Sequence, residues 1–191
     1  ILGICQSTSQ SLIKFYMNNK SKENIQWFDE YHKGARYGLE GKVLIQEESN
    51  FQTITIFESI KYGRALLLDN CWMTAEKQEK HYHESLVHPA LCGSKIIDNI
   101  LIIGGGDGGS ARECLKYKEV KCIDLIEIDL KVIDLSKKYL TSILGDGWTD
   151  SRLNIQIKNG IDWVKTKKNN SYDVIIVDGA DPVGPAKELF S

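Results

Sequence analysis

The sequence has 191 residues, 42% of them hydrophobic and 26% charged, with three prolines and a formal net charge of −2. Such a composition excludes a disordered chain, and its mildly acidic balance excludes a general nucleic-acid binder, whose affinity rests on neutralising phosphates. No apolar run approaches the ~20 residues that span a bilayer, so no membrane partner is expected, and the apolar start at residues 1–5 leads into no signal-peptide pattern.

In chain order, residues 1–24 read as a polar, mixed extension. Residues 25–75 read as a small β domain. Alternating runs at 42–46, 52–58 and 65–69, separated by Glu48-Ser49-Asn50 and Lys61-Tyr62-Gly63, predict short strands of an antiparallel sheet. A helix over 76–91, N-capped by Thr74, fills a connecting segment at 76–95. From residue 96 the pattern changes. Short Ile/Val/Leu-rich runs at 100–103, 122–128, 153–157 and 174–177 alternate with helical segments starting near Ser110, at 130–140 and at 161–166. That alternation predicts right-handed βαβ units and a parallel sheet covered on both faces. The expected fold class is therefore α/β: a small N-terminal antiparallel β domain ahead of a Rossmann-like parallel sheet at 96–191, cut short at its C-terminus. Five scattered cysteines (Cys5, Cys71, Cys92, Cys114, Cys122), none in a C-x-x-C pair, predict reduced, buried thiols in a cytoplasmic protein.

The first parallel strand runs into Gly104-Gly105-Gly106-Asp107-Gly108-Gly109, the nucleotide-binding position of such a sheet. Glu127 closes the next strand, ~20 residues on, where a carboxylate can hold ribose hydroxyls. Asp107 carries the most information. Dinucleotide sites place a pyrophosphate against the helix N-terminus here, and a carboxylate in that loop would repel it. A cationic nucleoside fits instead, and decarboxylated S-adenosylmethionine, with a sulfonium, an ammonium and no anion, fits better than the intact compound. Asp178 and Asp181 follow the fourth strand, so Asp107, Glu127, Asp178 and Asp181 gather at one sheet edge. Four carboxylates there need a cation. An organic cation suits the glycine loop better than a metal. The His81, His83, His88 group is set aside as a metal site, because His83 and His88 are five apart and diverge on a helix.

These residues resemble a family, the spermidine synthases or polyamine aminopropyltransferases, over nearly all of residues 26–191. The motifs are Trp27-Phe28-x-Glu30, Glu48-Ser49-x-Phe51-Gln52, Tyr82-His83-Glu84, the loop ending Asp107-Gly108-Gly109, Glu127-Ile128-Asp129 and Asp178-x-x-Asp181-Pro182-x-Gly184-Pro185-Ala186. The resemblance implies aminopropyl transfer from decarboxylated S-adenosylmethionine, a co-substrate rather than a prosthetic group, to a diamine such as putrescine, giving spermidine and methylthioadenosine. It implies donor contacts from Gln52, His83, Gly104, Gly106, Asp107, Glu127, Asn159 and Gly160. Tyr82, Asp178 and Asp181 are implied at the acceptor amine, Trp27 at the acceptor channel and Asp178 as the catalytic residue, with no metal. Homodimers or homotetramers are implied as well.

The chain departs from the family pattern at Lys158-Asn159-Gly160, where Gly-Asp-Gly is usual, and at Gly179-Ala180, where a serine is usual. An S-adenosylmethionine-dependent methyltransferase and a catalytically silent, truncated paralogue are the competing expectations.

Overall fold

The computed structural model describes residues 25–179. The expected extension at 1–24, Cys5 and Asp181 lie outside the described residues. The N-terminal region is a five-stranded antiparallel meander of β1 (Ile25–His32), β2 (Ala35–Glu48), β3 (Thr53–Ser59), β4 (Gly63–Leu68) and β5 (Cys71–Ala75), paired in chain order. The sequence pattern anticipated only the middle of this meander. β1 and the first half of β2 carry charged and aromatic side chains on exposed faces, Trp27, Tyr31 and Tyr37 among them, so they show no apolar alternation to read.

Helix α1 (Glu79–Gly93) starts later than expected, with Gln78 rather than Thr74 at its N-cap. Thr74 belongs to β5, and the chain continues the sheet ladder beyond it: Glu76 N donates to Arg64 O and Lys77 N to Tyr62 O. Those bonds hold residues 76 and 77 extended and delay the helix. The second region holds β6 (Asn99–Gly104), α2 (Gly109–Leu115), β7 (Cys122–Glu127), α3 (Leu130–Tyr139), β8 (Leu153–Ile157), α4 (Gly160–Lys165) and β9 (Val174–Asp178), with a 3-10 turn at Gly145–Thr149. Its strands are all parallel, in the order β8-β7-β6-β9. The outward strand sequence β6, β7, β8 reverses to β9, which makes the β6/β9 boundary the topological switch point where ligands bind in open α/β sheets.

The meander shares a core with a helix of the second region. Ile54, Ile56 and Leu66 of the meander pack on Val132 and Leu135 of α3 and on Leu140 and Ile143 behind it. The other meander face closes on Phe28, Phe57, Ala65 and Leu67, with the Phe28 and Phe57 rings stacked at 3.9 Å. Polar bonds fix the same junction: Arg64 Nη1 donates to Tyr139 O at 2.7 Å and Lys131 Nζ to Glu48 O at 2.7 Å. The cysteines depart from expectation. Cys114 is buried, but Cys71 and Cys92 are exposed, because they sit at a strand start and on the outer face of α1. Among the described residues, no helix is long and apolar enough to cross a membrane.

Candidate active site

Each candidate side chain leaves the carboxyl edge of the parallel sheet or an element packed on it. The register pairs Gly104 with Asp178 across β6 and β9, and Gly105 N donates to Asp178 O at 2.7 Å. A Cβ on Gly104 would lie 2.1 Å from that same carbonyl, and its φ is +83°. Glycine is required there by both the close approach and the left-handed backbone. The loop that follows turns Asp107 back on itself, so that Oδ1 accepts from Gly109 N at 2.8 Å and helps to start α2.

Asp178 is almost enclosed. Its Oδ1 accepts from Tyr82 OH at 3.0 Å and its Oδ2 from Ser110 Oγ at 2.6 Å. Burial pushes its carboxyl upward, as does the neighbouring Asp107 charge, against the Ser110 bond, the His83 charge and the Tyr82 bond. Between the two aspartates lies His83, its Nε2 at 3.4 Å from Asp107 Oδ2 and 4.0 Å from Asp178 Oδ2. The crowding of carboxylates seen in the sequence therefore has a cation of the protein's own. Burial works against the His83 charge, yet Asp107 and Glu79 outweigh it and lift the imidazole to about 10. His83, Asp107 and Asp178 could each offer one atom to a metal ion, the three atoms lying within 4.8 Å. In its protonated form the imidazole donates to carboxylates rather than offering a lone pair, and the trio then forms an ion-paired cluster.

A second acidic group lies on the neighbouring strand. Glu127 Oε1 accepts from Ile128 N at 2.7 Å and Asp129 N at 3.0 Å. Burial drives Glu127 up to about 7, opposed by these backbone donors. A Cβ on Gly106 would come within 2.8 Å of Glu127 Oε2, so the glycine loop and Glu127 form one continuous wall. Gln52 reaches the same place from the meander. Ser49 Oγ accepts from Phe51 N and Gln52 N, folding the β2–β3 turn, and Gln52 Nε2 then donates to Asp129 Oδ2 at 3.1 Å.

Two sequence-derived residues stand apart. Asn159 follows β8 as the N-cap of α4, its Oδ1 accepting from Ile161 N at 2.8 Å and Asp162 N at 3.3 Å; Gly160 packs against Ile103. The acceptor carbonyl expected for an adenine amino group is thus already committed to the helix. Trp27 is 61% exposed on β1 and lines a cavity of about 320 Å³ with Phe28, Asp29 and Val43, to which none of the parallel-sheet site residues contributes. Ser110, Glu79 and Arg112 were missed as site residues. The signal for Glu79 was its spacing, four residues before His83 on one helix face.

Acidic side chains gathered at the switch point of a parallel sheet, behind an antiparallel meander, define an α/β domain of the class whose ligands bind at that edge. Residues 26–76 match the family described as spermidine synthase tetramerisation domain, and residues 79–191 match the spermine/spermidine synthase domain. The chain belongs to the spermine/spermidine synthase family. It is 74% identical over 175 residues to the polyamine aminopropyltransferase of Prochlorococcus marinus strain NATL1A and 54% identical over 175 residues to that of strain MIT 9313. Each match covers 92% of this chain and 61% of the relative, so the chain spans about three-fifths of the length of these proteins. A spermidine synthase solved in complex with the transition-state analogue AdoDATO superposes with a TM-score of 0.82 at 38% identity, over 92% of this chain and 61% of that one. The spermidine synthase of Thermotoga maritima gives 0.78 at 36% identity, over 85% and 59%.

Proposed function

We propose that this chain carries the donor pocket and catalytic aspartate of a polyamine aminopropyltransferase, which moves the aminopropyl group of decarboxylated S-adenosylmethionine to a diamine, putrescine by family analogy. One observation carries the reading. Asp178 is buried beside the first strand of the sheet, held by Tyr82 and Ser110, and faces Asp107 across 4 Å-scale contacts through His83. This arrangement suits cationic ligands at both ends of the reaction.

In the reaction the acceptor nitrogen attacks the methylene beside the sulfonium. The C–N bond forms, the C–S bond breaks, and methylthioadenosine leaves as a neutral thioether. No oxyanion develops, so the site's work is alignment, which is worth several kcal/mol, and removal of a proton from an amine that titrates near pH ~10. Asp178 takes that proton and Tyr82 orients its carboxylate. Asp107 meets the cationic tail of the donor, and Glu127 receives the ribose hydroxyls. Gln52, Gly104, Gly106, Asn159 and Gly160 shape the donor side. Trp27 and Asp181 are assigned to the acceptor by resemblance.

The N-terminal sheet supports assembly as a homodimer or homotetramer. It matches a family described as a tetramerisation domain, and it exposes Trp27, Tyr31 and Tyr37; sedimentation of the full-length protein tests this. Five scattered cysteines with no C-x-x-C pair support a cytoplasmic location, and cell fractionation checks it.

The decisive test is incubation of the full-length protein with decarboxylated S-adenosylmethionine and a panel of diamines, followed by mass spectrometry. Diamine-dependent release of methylthioadenosine is expected. Methyl transfer from intact S-adenosylmethionine, or no transfer from a folded sample, would overturn the proposal.

A further inference from the structure

Beneath the two aspartates runs a buried chain of alternating charge that leads away from the site. His83 Nδ1 lies 2.8 Å from Glu79 Oε2, one helical turn back on α1. Arg112 of α2 grips Glu79 with both terminal nitrogens, Nη1 to Oε1 at 2.6 Å and Nη2 to Oε2 at 2.8 Å. The same guanidinium donates through Nε to Glu113 Oε1 at 2.8 Å and through Nη1 to Ile143 O at 2.9 Å. Glu113 in turn meets Lys116 and, at 3.0 Å, His88 Nε2. The side chains of Glu79, His83 and Glu113 are at most 2% exposed.

The geometry at His83 favours the imidazolium. Both ring nitrogens face carboxylate oxygens, Nδ1 toward Glu79 at 2.8 Å and Nε2 toward Asp107 at 3.4 Å and Asp178 at 4.0 Å. A neutral ring turns one lone pair toward an ionised carboxylate, whereas the imidazolium is a donor at both nitrogens. The ring cannot swing away, because it lies flat against Gly109: a Cβ there would fall 2.2 Å from Cε1. The groups that face the ring are Glu79 from α1, Asp107 from the glycine loop, Asp178 from β9 and the Tyr82 ring, edge-on at 5.1 Å.

We propose that Glu79, gripped by Arg112, is a positioning residue that fixes His83 as a doubly protonated cation aimed at Asp107 and Asp178, so that the site holds a positive charge opposite Asp178 before any substrate arrives. Two buried carboxylates this close otherwise share a proton, and a protonated Asp178 accepts nothing from an amine. The high imidazole value and the low Glu79 value, about 2, agree with this arrangement. What the two aspartates go on to meet rests on the aminopropyltransferase reading; the state of the ring does not.

The test is nitrogen-15 NMR of histidine-labelled full-length protein from pH 6 to 10, with the His83 signal identified by its loss in His83→Gln, alongside the pH profile of methylthioadenosine release. Both His83 ring nitrogens are expected to carry protons at pH 7.5. In Glu79→Gln the ring should lose its proton at least about one pH unit lower, and the acid limb of turnover should move up as Asp178 loses its cation. A neutral His83 in the wild-type spectrum at pH 7.5 overturns the inference, and needs no variant to fold. A Glu79→Gln protein that titrates like wild type overturns it as well. A protonated ring in a protein that transfers no aminopropyl group supports the relay and removes the proposed reaction instead.

Discussion

Two acidic groups stand side by side at one sheet edge and are compensated in different ways. Asp107 and Asp178 face a buried imidazolium with a charged chain behind it. Among the described residues, Glu127 and Asp129 are met by backbone N–H groups and the Gln52 amide. Burial raises both Asp178 and Glu127, but Asp178 has the His83 charge set against that rise, whereas Glu127 has only neutral donors opposing it and reaches about 7. The first pair is thereby suited to cations, and the second to hydroxyl groups that share hydrogen bonds without bringing charge.

That contrast can be broken most sharply at Asp178. Asp178→Asn in the full-length protein is expected to lower turnover by ~10²-fold or more with the fold kept; circular dichroism beside the rate assay checks both. Gly109→Ala comes next, since its methyl group meets the His83 ring at 2.2 Å. Thermal unfolding should show a loss of 1–3 kcal/mol, about that of an overpacked core, with turnover falling further than stability accounts for. Asp107→Ala should weaken decarboxylated S-adenosylmethionine more than methylthioadenosine in calorimetry, because only the former presents charge to it; equal losses would erase the distinction between the two acidic groups. The Glu127 side is read by pH. With its carboxyl raised to about 7, methylthioadenosine binding should tighten as pH rises through 7 and Glu127 ionises, and Glu127→Gln should flatten that dependence.

The smallest effect concerns the unfolding curve. His83 is raised from 6.5 to about 10, so its stabilisation is full below pH 6.5 and disappears as pH climbs through 10. Glu79 is lowered from 4.5 to about 2, so its share is full above pH 4.5 and is lost as pH falls through 2. Denaturant midpoints of wild type and His83→Gln should therefore differ most between pH 4.5 and 6.5 and converge toward pH 10.

The parallel sheet was legible because β6, β7 and β9 are runs rich in Ile, Leu and Val, which need no partner sequence to be recognised; the expected cover on both faces does not hold at β9, where Ile175 and Val177 are exposed among the described residues. β1 was not, since its place is set by pairing with β2 along a register that the one-dimensional pattern does not display. Within the site, Asp107, Glu127 and Asp178 could be found because each ends a strand or sits in the glycine loop. His83 was named only as a donor contact implied by resemblance; its place between the aspartates was not legible, because it comes from a helix that precedes the sheet and is brought in by α1 packing beside β9. Asn159 shows what a sequence reading leaves out: its side-chain carbonyl was read as an acceptor for a ligand, and the structure adds that the same oxygen caps α4.

The contact between the His83 ring face and Gly109 couples the two positions. A side chain added at 109 meets the ring, so the stability lost in Gly109→Ala should shrink when position 83 carries a smaller residue.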